Sequence, residues 1–265
     1  MTTTTPGDWD ASRYHRVAQP HAVWGASVLD RLRLRGDEVV LDAGCGSGKV
    51  TLQLLERLPD GRVIGADLSP AMLDEARTTL APFAQRVTFV QTDLLRIDSA
   101  VPDKVDAVFS TATFHWIDDH ARLFAALHRV MRPGARLVSQ FGGGDNLAAF
   151  MRAADRVGAR ADYREHVEGK SLWRYFTSPE DTTRRLETAG FTQVEAWLEP
   201  SPQTFPSETA FVEFAQAVVL RNHLNALPES KREDFAHQVA DEAHNALGGY
   251  VLDYVRLNAD ATASA

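Results

Sequence analysis

Short apolar and β-branched runs alternate along the chain with longer stretches whose apolar positions recur every three to four residues. The runs are EVVLDAG (38–44), GRVIGADLS (61–69), RVTFVQTDL (86–94), KVDAVFSTATF (104–114) and GARLVSQFGG (135–143). Helical patterns separate them: one reaching about Leu58, then PAMLDEARTTLAPF, then DHARLFAALHRVM (119–131). This alternation predicts an α/β fold with a doubly wound parallel sheet, whose ligands bind at the carboxyl ends of the strands. Two late runs, FTQVEAWL (191–198) and YVLDYVRLNADAT (250–262), have no crossover helix beside them. They are expected to add antiparallel strands, giving seven strands in a mixed sheet.

Turn residues mark the boundaries. Ser69-Pro70 supplies an N-cap and a first-turn proline, Pro133-Gly134 turns a helix into the next strand, and Ser178-Pro179 opens a helix that ends at Gly190. Stretches near 9–35, 148–176 and 207–247 read as helical but lie outside the alternation. One domain over 1–265 is therefore expected, with a core near 36–143, 178–200 and 249–262. A helical lid from about 9–35, 144–177 and 205–247 would cover the carboxyl edge.

The loop after the first strand, DAGCGSGK, decides the ligand class. A phosphate-binding P-loop is excluded, because Ala43 and Val50 stand where its first glycine and its hydroxyl belong. The dinucleotide fingerprint fits poorly, since the glycines fall at 44, 46 and 48. Asp42 would repel a pyrophosphate by a few kcal/mol at ~4 Å in a partly buried site, yet would attract an ammonium or sulfonium. Asp67, ending the second strand, is placed to take two ribose hydroxyls, and Asp93 in QTDLL is placed to accept from the amine of an adenine. A cationic nucleoside results.

Charge and composition narrow the class further. The net charge of −8 opposes a surface built for nucleic acid. The single cysteine, Cys45, excludes a disulfide framework and a multi-cysteine metal site, and fits a cytoplasmic protein. The start, MTTTTPGDWD, has no basic region followed by an apolar run, and no stretch approaches the roughly 20 apolar residues of a membrane span, so neither export nor insertion is expected.

The stretches VLDAGCGSG, VIGADLSPAMLDEAR, VTFVQTDLL, VDAVFSTATFHWIDD and RVMRPGARLV together resemble the Rossmann-like class I S-adenosylmethionine-dependent methyltransferases, over most of the chain. The resemblance implies S-adenosylmethionine as cofactor and S-adenosylhomocysteine as product. It implies loop contacts at Asp42, Gly44, Cys45 and Gly46, and ribose at Asp67. Adenine would lie beside Leu68 and Met72, with its amine at Asp93 and Leu94, and Ser110, Thr111 and His115 would flank the methionine end. From WDASRYHRVAQP to YVRLNADAT the chain looks most like the bacterial trans-aconitate methyltransferase-like group, which nominates Tyr14, Gln19 and Trp24 as cofactor cap residues. Phe114-His115-Trp116 departs from the small residue and glutamine often found there, so the substrate does not carry over.

Methyl transfer to a carboxylate needs no base, whereas transfer to carbon does. His115, or Glu165 from the lid, is the candidate base; packing or capping ahead of the helix near Asp118 is the equal alternative for His115. Arginines 152, 156, 160, 164, 174 and 221 could gather an anionic acceptor, although the four-residue spacing of the first three also describes a solvated helical face. Trp116, Trp173, Arg174, Tyr175, Arg221 and His223 are the substrate candidates, with packing as the alternative for the aromatic cluster and a structural role for His223. Cys45 reads as a small residue in a tight loop, Asp118-Asp119 as an N-cap, and no spacing suggests a metal. The expectation is carboxylate O-methylation of a small anionic molecule. The alternatives are C-methylation of an isoprenoid-like anion such as a prenyl diphosphate and, third, a non-catalytic nucleoside-binding module.

Overall fold

A computed structural model describes residues 19–265, with side chains from residue 25. The described strands, in chain order, are β1 (Val39–Ala43), β2 (Arg62–Asp67), β3 (Val87–Gln91), β4 (Val105–Thr111), β5 (Met131–Gly142), β6 (Phe191–Pro200), β7 (Gln203–Thr204), β8 (Val251–Leu252) and β9 (Val255–Ala263). The longer helices are α1 (Gln19–Leu32), α2 (Lys49–Glu56), α3 (Pro70–Thr79), α4 (His120–Val130), α5 (Ala148–Gly158), α6 (Pro179–Thr188), α7 (Glu208–Phe214) and α8 (Glu229–Leu247).

Seven strands form one sheet in the order β3-β2-β1-β4-β5-β9-β6. The pairs β1–β2, β1–β4, β2–β3 and β4–β5 are parallel. Strand β9 runs antiparallel to both its neighbours: Gln140 bonds Asn258 and Gly143 bonds Val255 on one side, while Ser264 bonds Gly190 and Ser201 bonds Tyr254 on the other. The mixed seven-stranded sheet expected from the alternation is thus present, with β9 inserted inside β6. Pro133-Gly134 lies where the β4–β5 register shifts, between Val105↔Met131 and Ala107↔Arg136, and Gly134 takes a φ of +81° there.

Alternate residues of the central strands feed two hydrophobic layers, as a doubly covered sheet requires. Leu41, Val108 and Leu137 join Leu123, Phe124 and Leu127 of α4. Val40, Ala107, Phe109 and Val138 join Leu54 and Leu55 of α2 on the other face. Val28, Leu29 and Leu32 of α1 belong to that second layer. The later half of α1 is therefore a core helix of the sheet, where the sequence pattern had suggested a lid. Arg31 secures it, donating to Asn258 Oδ1 at 2.6 Å, to Asp260 Oδ1 at 3.1 Å and to the Ser139 carbonyl at 3.0 Å.

The helix starts follow their capping residues. Ser69 Oγ accepts from Met72 N–H, Ser178 Oγ from Asp181 N–H, and Asp119 Oδ1 from Arg122 N–H. The chain divides into two compact units: one runs through Phe141 and takes in Thr177–Trp197 and Leu257–Ala265; the other comprises Gly142–Phe176 and Leu198–Arg256. The second unit is mainly helical, with the small β7–β8 pair, and its core gathers Phe150, Tyr163, Phe211 and Phe235. Among the described residues no helix is long and apolar enough to cross a membrane.

Candidate active site

Parallel pairing puts the carboxyl ends of β1 to β4 on one edge, with Ala43 beside Ala66 and Asp67 beside Gln91. The glycine loop begins there, held by two backbone donors, Gly44 N–H and Cys45 N–H, which share the Ala66 carbonyl at 2.8 and 3.0 Å. Gly44 has a φ of +88°, and a Cβ on it would stand 2.2 Å from Thr113 Oγ1. Thr113 thus fills the space that a side chain would need. At Gly46, φ +52°, a Cβ would meet nothing within 4 Å, which leaves the peptide open to an approaching ligand.

Asp67 closes the loop from the side. Its Oδ2 accepts Gly46 N–H at 2.9 Å and its Oδ1 accepts Ser69 N–H at 2.9 Å. The Leu68 amide also acts on the carboxylate, which keeps acceptor capacity beyond these amides. Desolvation raises its pKa against the pull of these amide bonds. Beside it Leu68 is 53% exposed, a large apolar side chain held out at the edge, while Met72 and Leu94 are buried below. Asp93 is exposed and its Oδ1 accepts Leu95 N–H at 2.9 Å, capping the turn Leu94–Arg96.

Asp42 departs from its expected position at the loop mouth. It is 2% exposed and accepts a 2.6 Å bond from Thr51 Oγ1 of α2, because β1 is covered on both faces. Burial pushes its pKa up to about 7, with the Thr51 bond opposing and the Asp67 charge adding to the rise. The direct attraction inferred from sequence is therefore weakened, since the carboxylate is part-protonated at neutral pH. Cys45 is buried, and burial, Asp42 and Asp67 all push its thiol further from ionisation.

On β4, Ser110 Oγ donates to the Ala43 carbonyl at 2.6 Å, tying β4 to β1. Thr111 ends the strand, half-buried, and Ala112 follows with a φ of +54°, its N–H on the Gln140 carbonyl. Thr113 Oγ1 lies 3.3 Å from the Gly44 carbonyl and 3.0 Å from that of Thr111. Sequence reasoning missed this latch; its signal was a hydroxyl two residues beyond a strand end, facing a glycine. His115 is buried in the turn Phe114–Trp116, its ring 5.6 Å from that of Trp116. The capping and fastening of α4 fall to other groups, Asp119 at the cap and His120 Nε2 on the Phe114 carbonyl at 2.9 Å.

Tyr14 lies outside the described residues, as do the side chains of Gln19 and Trp24, whose backbone belongs to α1. The substrate candidates Trp173, Arg174, Tyr175, Arg221 and His223 all fall in the second unit, whereas Trp116 falls in the first. Arg156 and Arg160 are spent on Glu242 of α8, at 2.6 and 3.2 Å, and Arg152 is exposed, so the solvated-face reading holds for that stripe. Glu165 is exposed and lies 3.1 Å from His166 Nε2. Arg174 donates to the carbonyls of Val218 and Val219, at the end of a π-helical turn (Ala215–Val219) whose wider pitch leaves them available. Its charge is felt by His223 and Tyr254, and that of Arg256 also acts on Tyr254. Burial holds the Tyr254 phenol at about 12 and, with Arg174, lowers His223 to about 4. Arg256, 2% exposed, was not anticipated.

Comparison with known proteins bears on this edge. A model described as "Methyltransferase domain" matches residues 40–134, the stretch that contains the loop, Asp67, Asp93 and the end of β4. The trans-aconitate 2-methyltransferase of Acidovorax sp. (strain JS42) is 31% identical over 229 residues, 86% of each chain. The chain belongs to the class I S-adenosylmethionine-dependent methyltransferases. Two solved structures share the fold. YcgJ from Bacillus subtilis superposes with a TM-score of 0.63 at 13% identity, over 92% of this chain and all of that one. A Haemonchus contortus phosphoethanolamine N-methyltransferase 2 in complex with S-adenosyl-L-methionine gives 0.59 at 18% identity, over 96% of this chain and 56% of that one. The methyltransferase is an enzyme whose cofactor is S-adenosylmethionine. The edge fits that group: Gly46 is open, Asp67 has spare acceptor capacity, and Leu68 offers an exposed apolar surface to a base.

Proposed function

We propose that this methyltransferase transfers a methyl group to a carboxylate oxygen of a small anionic acceptor, as a cytoplasmic enzyme. The carrying observation is a pair of guanidinium groups within the second unit: Arg174, part-buried and anchored on the carbonyls of Val218 and Val219, and Arg256, buried two residues along the chain from Tyr254. Guanidinium forks match carboxylates in shape and charge, and they act most strongly where water is excluded. The name of the relatives, trans-aconitate 2-methyltransferase, supports the same substrate class.

In this reading Asp67 takes the ribose hydroxyls, Leu68 and Met72 flank the adenine, and Asp93 with Leu94 meets its amine. The loop backbone from Gly44 through Cys45 to Gly46 runs along the methionine part, with Ser110, Thr111 and His115 at the end of β4. Tyr14, Gln19 and Trp24 retain their proposed place as cap residues. Asp42 acts through Thr51 and the loop, from below. The cofactor supplies an electrophilic methyl group on a sulfonium. An acceptor carboxylate is already ionised, so the chain's own residues would need only to hold one of its oxygens facing that methyl group, with the thioether as the leaving group. No proton moves, so neither His115 nor Glu165 is needed as a base. The protein's task is to align and desolvate the carboxylate.

Steady-state kinetics on Arg174→Gln and Arg256→Gln test the reading. Each is expected to raise KM for an accepted organic acid by at least about tenfold, the loss of a charge-assisted contact, with KM for S-adenosylmethionine within about twofold. Unchanged acceptor KM in both folded variants would refute the role of the pair.

A further inference from the structure

Four rings of the first unit cluster where the turn after β4 meets α4: Phe114 of the turn, His120 and Phe124 of the helix, and Phe141 of β5. Phe114 and His120 lie 5.9 and 5.4 Å from Phe124, and 5.4 and 5.6 Å from Phe141. Each of the four is 1% exposed or less. A further phenylalanine at 120 would fill this cluster without burying a polar group, so an imidazole there points to a polar contact. That contact is on the page: His120 Nε2 donates to the Phe114 carbonyl at 2.9 Å. Burial lowers the pKa of the ring; the Phe114 bond opposes the fall, Arg185 adds to it, and Asp118 and Asp119 resist it. The donor is therefore a neutral imidazole with its proton on Nε2.

The Phe114 carbonyl also accepts Ile117 N–H at 3.0 Å, so the turn closes without the histidine. What His120 adds is a tie from that turn to α4, whose Leu123, Phe124 and Leu127 sit in the hydrophobic layer of the sheet. The turn has need of one. Ala112, at its entry, holds a φ of +54°, a conformation that a residue with a Cβ keeps only where its surroundings over-determine it. Between Ala112 and Phe114 stands Thr113, whose Oγ1 lies 3.3 Å from the Gly44 carbonyl and fills the space that a Cβ on Gly44 would need. No slack separates the two, so a displacement of the Phe114 peptide passes to the glycine loop. We infer that His120 is a positioning residue for cofactor binding: it anchors the Phe114 carbonyl to α4, and so holds Thr113 against Gly44 and keeps the loop in the form that receives S-adenosylmethionine. This rests on the placement of the cofactor along Gly44–Gly46 and is independent of the acceptor.

Calorimetry of S-adenosylhomocysteine binding to the full chain tests it, on proteins whose thermal melts show them folded at the assay temperature. His120→Phe completes the aromatic cluster but cannot donate, and is expected to weaken binding about fivefold, the contribution of one hydrogen bond. His120→Gln, whose amide reaches about as far as Nε2, should stay within about twofold of the wild type. His120→Asn, too short to reach, should match His120→Phe, and replaces it in the test if that variant fails to fold. On a Thr113→Val background His120→Phe should cost less than about twofold more, because the contact it steadies is already gone. A buried histidine that merely packs would lower the melting midpoint without moving the dissociation constant or coupling to Thr113. An unchanged constant in His120→Phe and His120→Asn, an equal loss in His120→Gln, or full additivity with Thr113→Val would overturn the inference and leave the cofactor's place standing. Wild-type protein that binds no S-adenosylhomocysteine, or binds it as tightly after Thr113→Val, would overturn the reading of the loop as well.

Discussion

At Asp42 a carboxylate is held in a covered strand with one hydroxyl for company, and its pKa stands near 7 against an ordinary value of 3.8. The sign of the consequence follows from linkage. The folded state binds this proton more tightly than the unfolded chain, so stability contributed by the site is greatest at low pH and declines as pH rises towards and through 7. At 1.36 kcal/mol per pKa unit the ionised form costs roughly 4 kcal/mol. Asp42→Asn, which still accepts from Thr51, is therefore expected to raise the thermal midpoint of the cofactor-free protein at pH 8, with a gain less than about half as large at pH 5. Thermal melts across pH check this; equal shifts at both pH values would contradict it. Thr113→Val, which keeps the shape but removes the hydroxyl from Gly44 and Thr111, should weaken S-adenosylmethionine binding several-fold by calorimetry, while Thr113→Ser should retain it. His115→Ala is expected to leave carboxylate methylation within a few-fold, where loss of a true base would cost about 10²–10⁴.

At the scale of elements, α1 shows how a polar residue can fix a helix to a sheet. Arg31 reaches Asn258 and Asp260 of β9 and stacks on Trp197 of β6, with its guanidinium carbon 4.9 Å from the ring centroid. Arg31→Ala takes this donor from the fully buried Asn258 and the part-buried Asp260 and is expected to destabilise the protein by about 3 kcal/mol, read from denaturant unfolding. The strands were legible in the sequence because each parallel strand, covered on both faces, is a short apolar run with a turn signal at its end. Ser69-Pro70 located a helix start for the same local reason, whereas Pro133-Gly134, expected to lead into the strand, falls inside β5 at its register shift. Strand β9 was harder. Its alternation of Arg256, Asn258 and Asp260 with Leu257 and Ala259 suggests a half-exposed edge, yet its place between β5 and β6 buries Arg256 and Asn258. Asn258 meets Arg31 and Gln140, far away in the chain, and no local pattern announces such partners. The same limit hid Thr113, whose meaning depends on the missing Cβ of Gly44, and it misplaced Asp42, whose burial is set by the helix that closes over it. The loop glycines and Asp67 were legible because their spacing puts them at adjacent strand ends, whereas Leu68 entered only through the family resemblance.

For the whole molecule, a net charge of −8 sits oddly with an anionic acceptor. In the proposed reading acceptor capture relies on local cations, Arg174 and Arg256 of the second unit. Three further arginines of that unit are occupied elsewhere, Arg156 and Arg160 with Glu242 and Arg164 with the Ala159 carbonyl, so these three add little to acceptor binding. Division of labour between a sheet edge that holds S-adenosylmethionine and a helical unit that recognises an acid is the central claim. It is tested most directly by ¹³C NMR of the product formed from methyl-¹³C-labelled S-adenosylmethionine and an accepted organic acid. The account predicts a labelled methyl-ester carbon, formed equally well by His115→Ala. A label on carbon or nitrogen, or no transfer to any carboxylic acid, would contradict it.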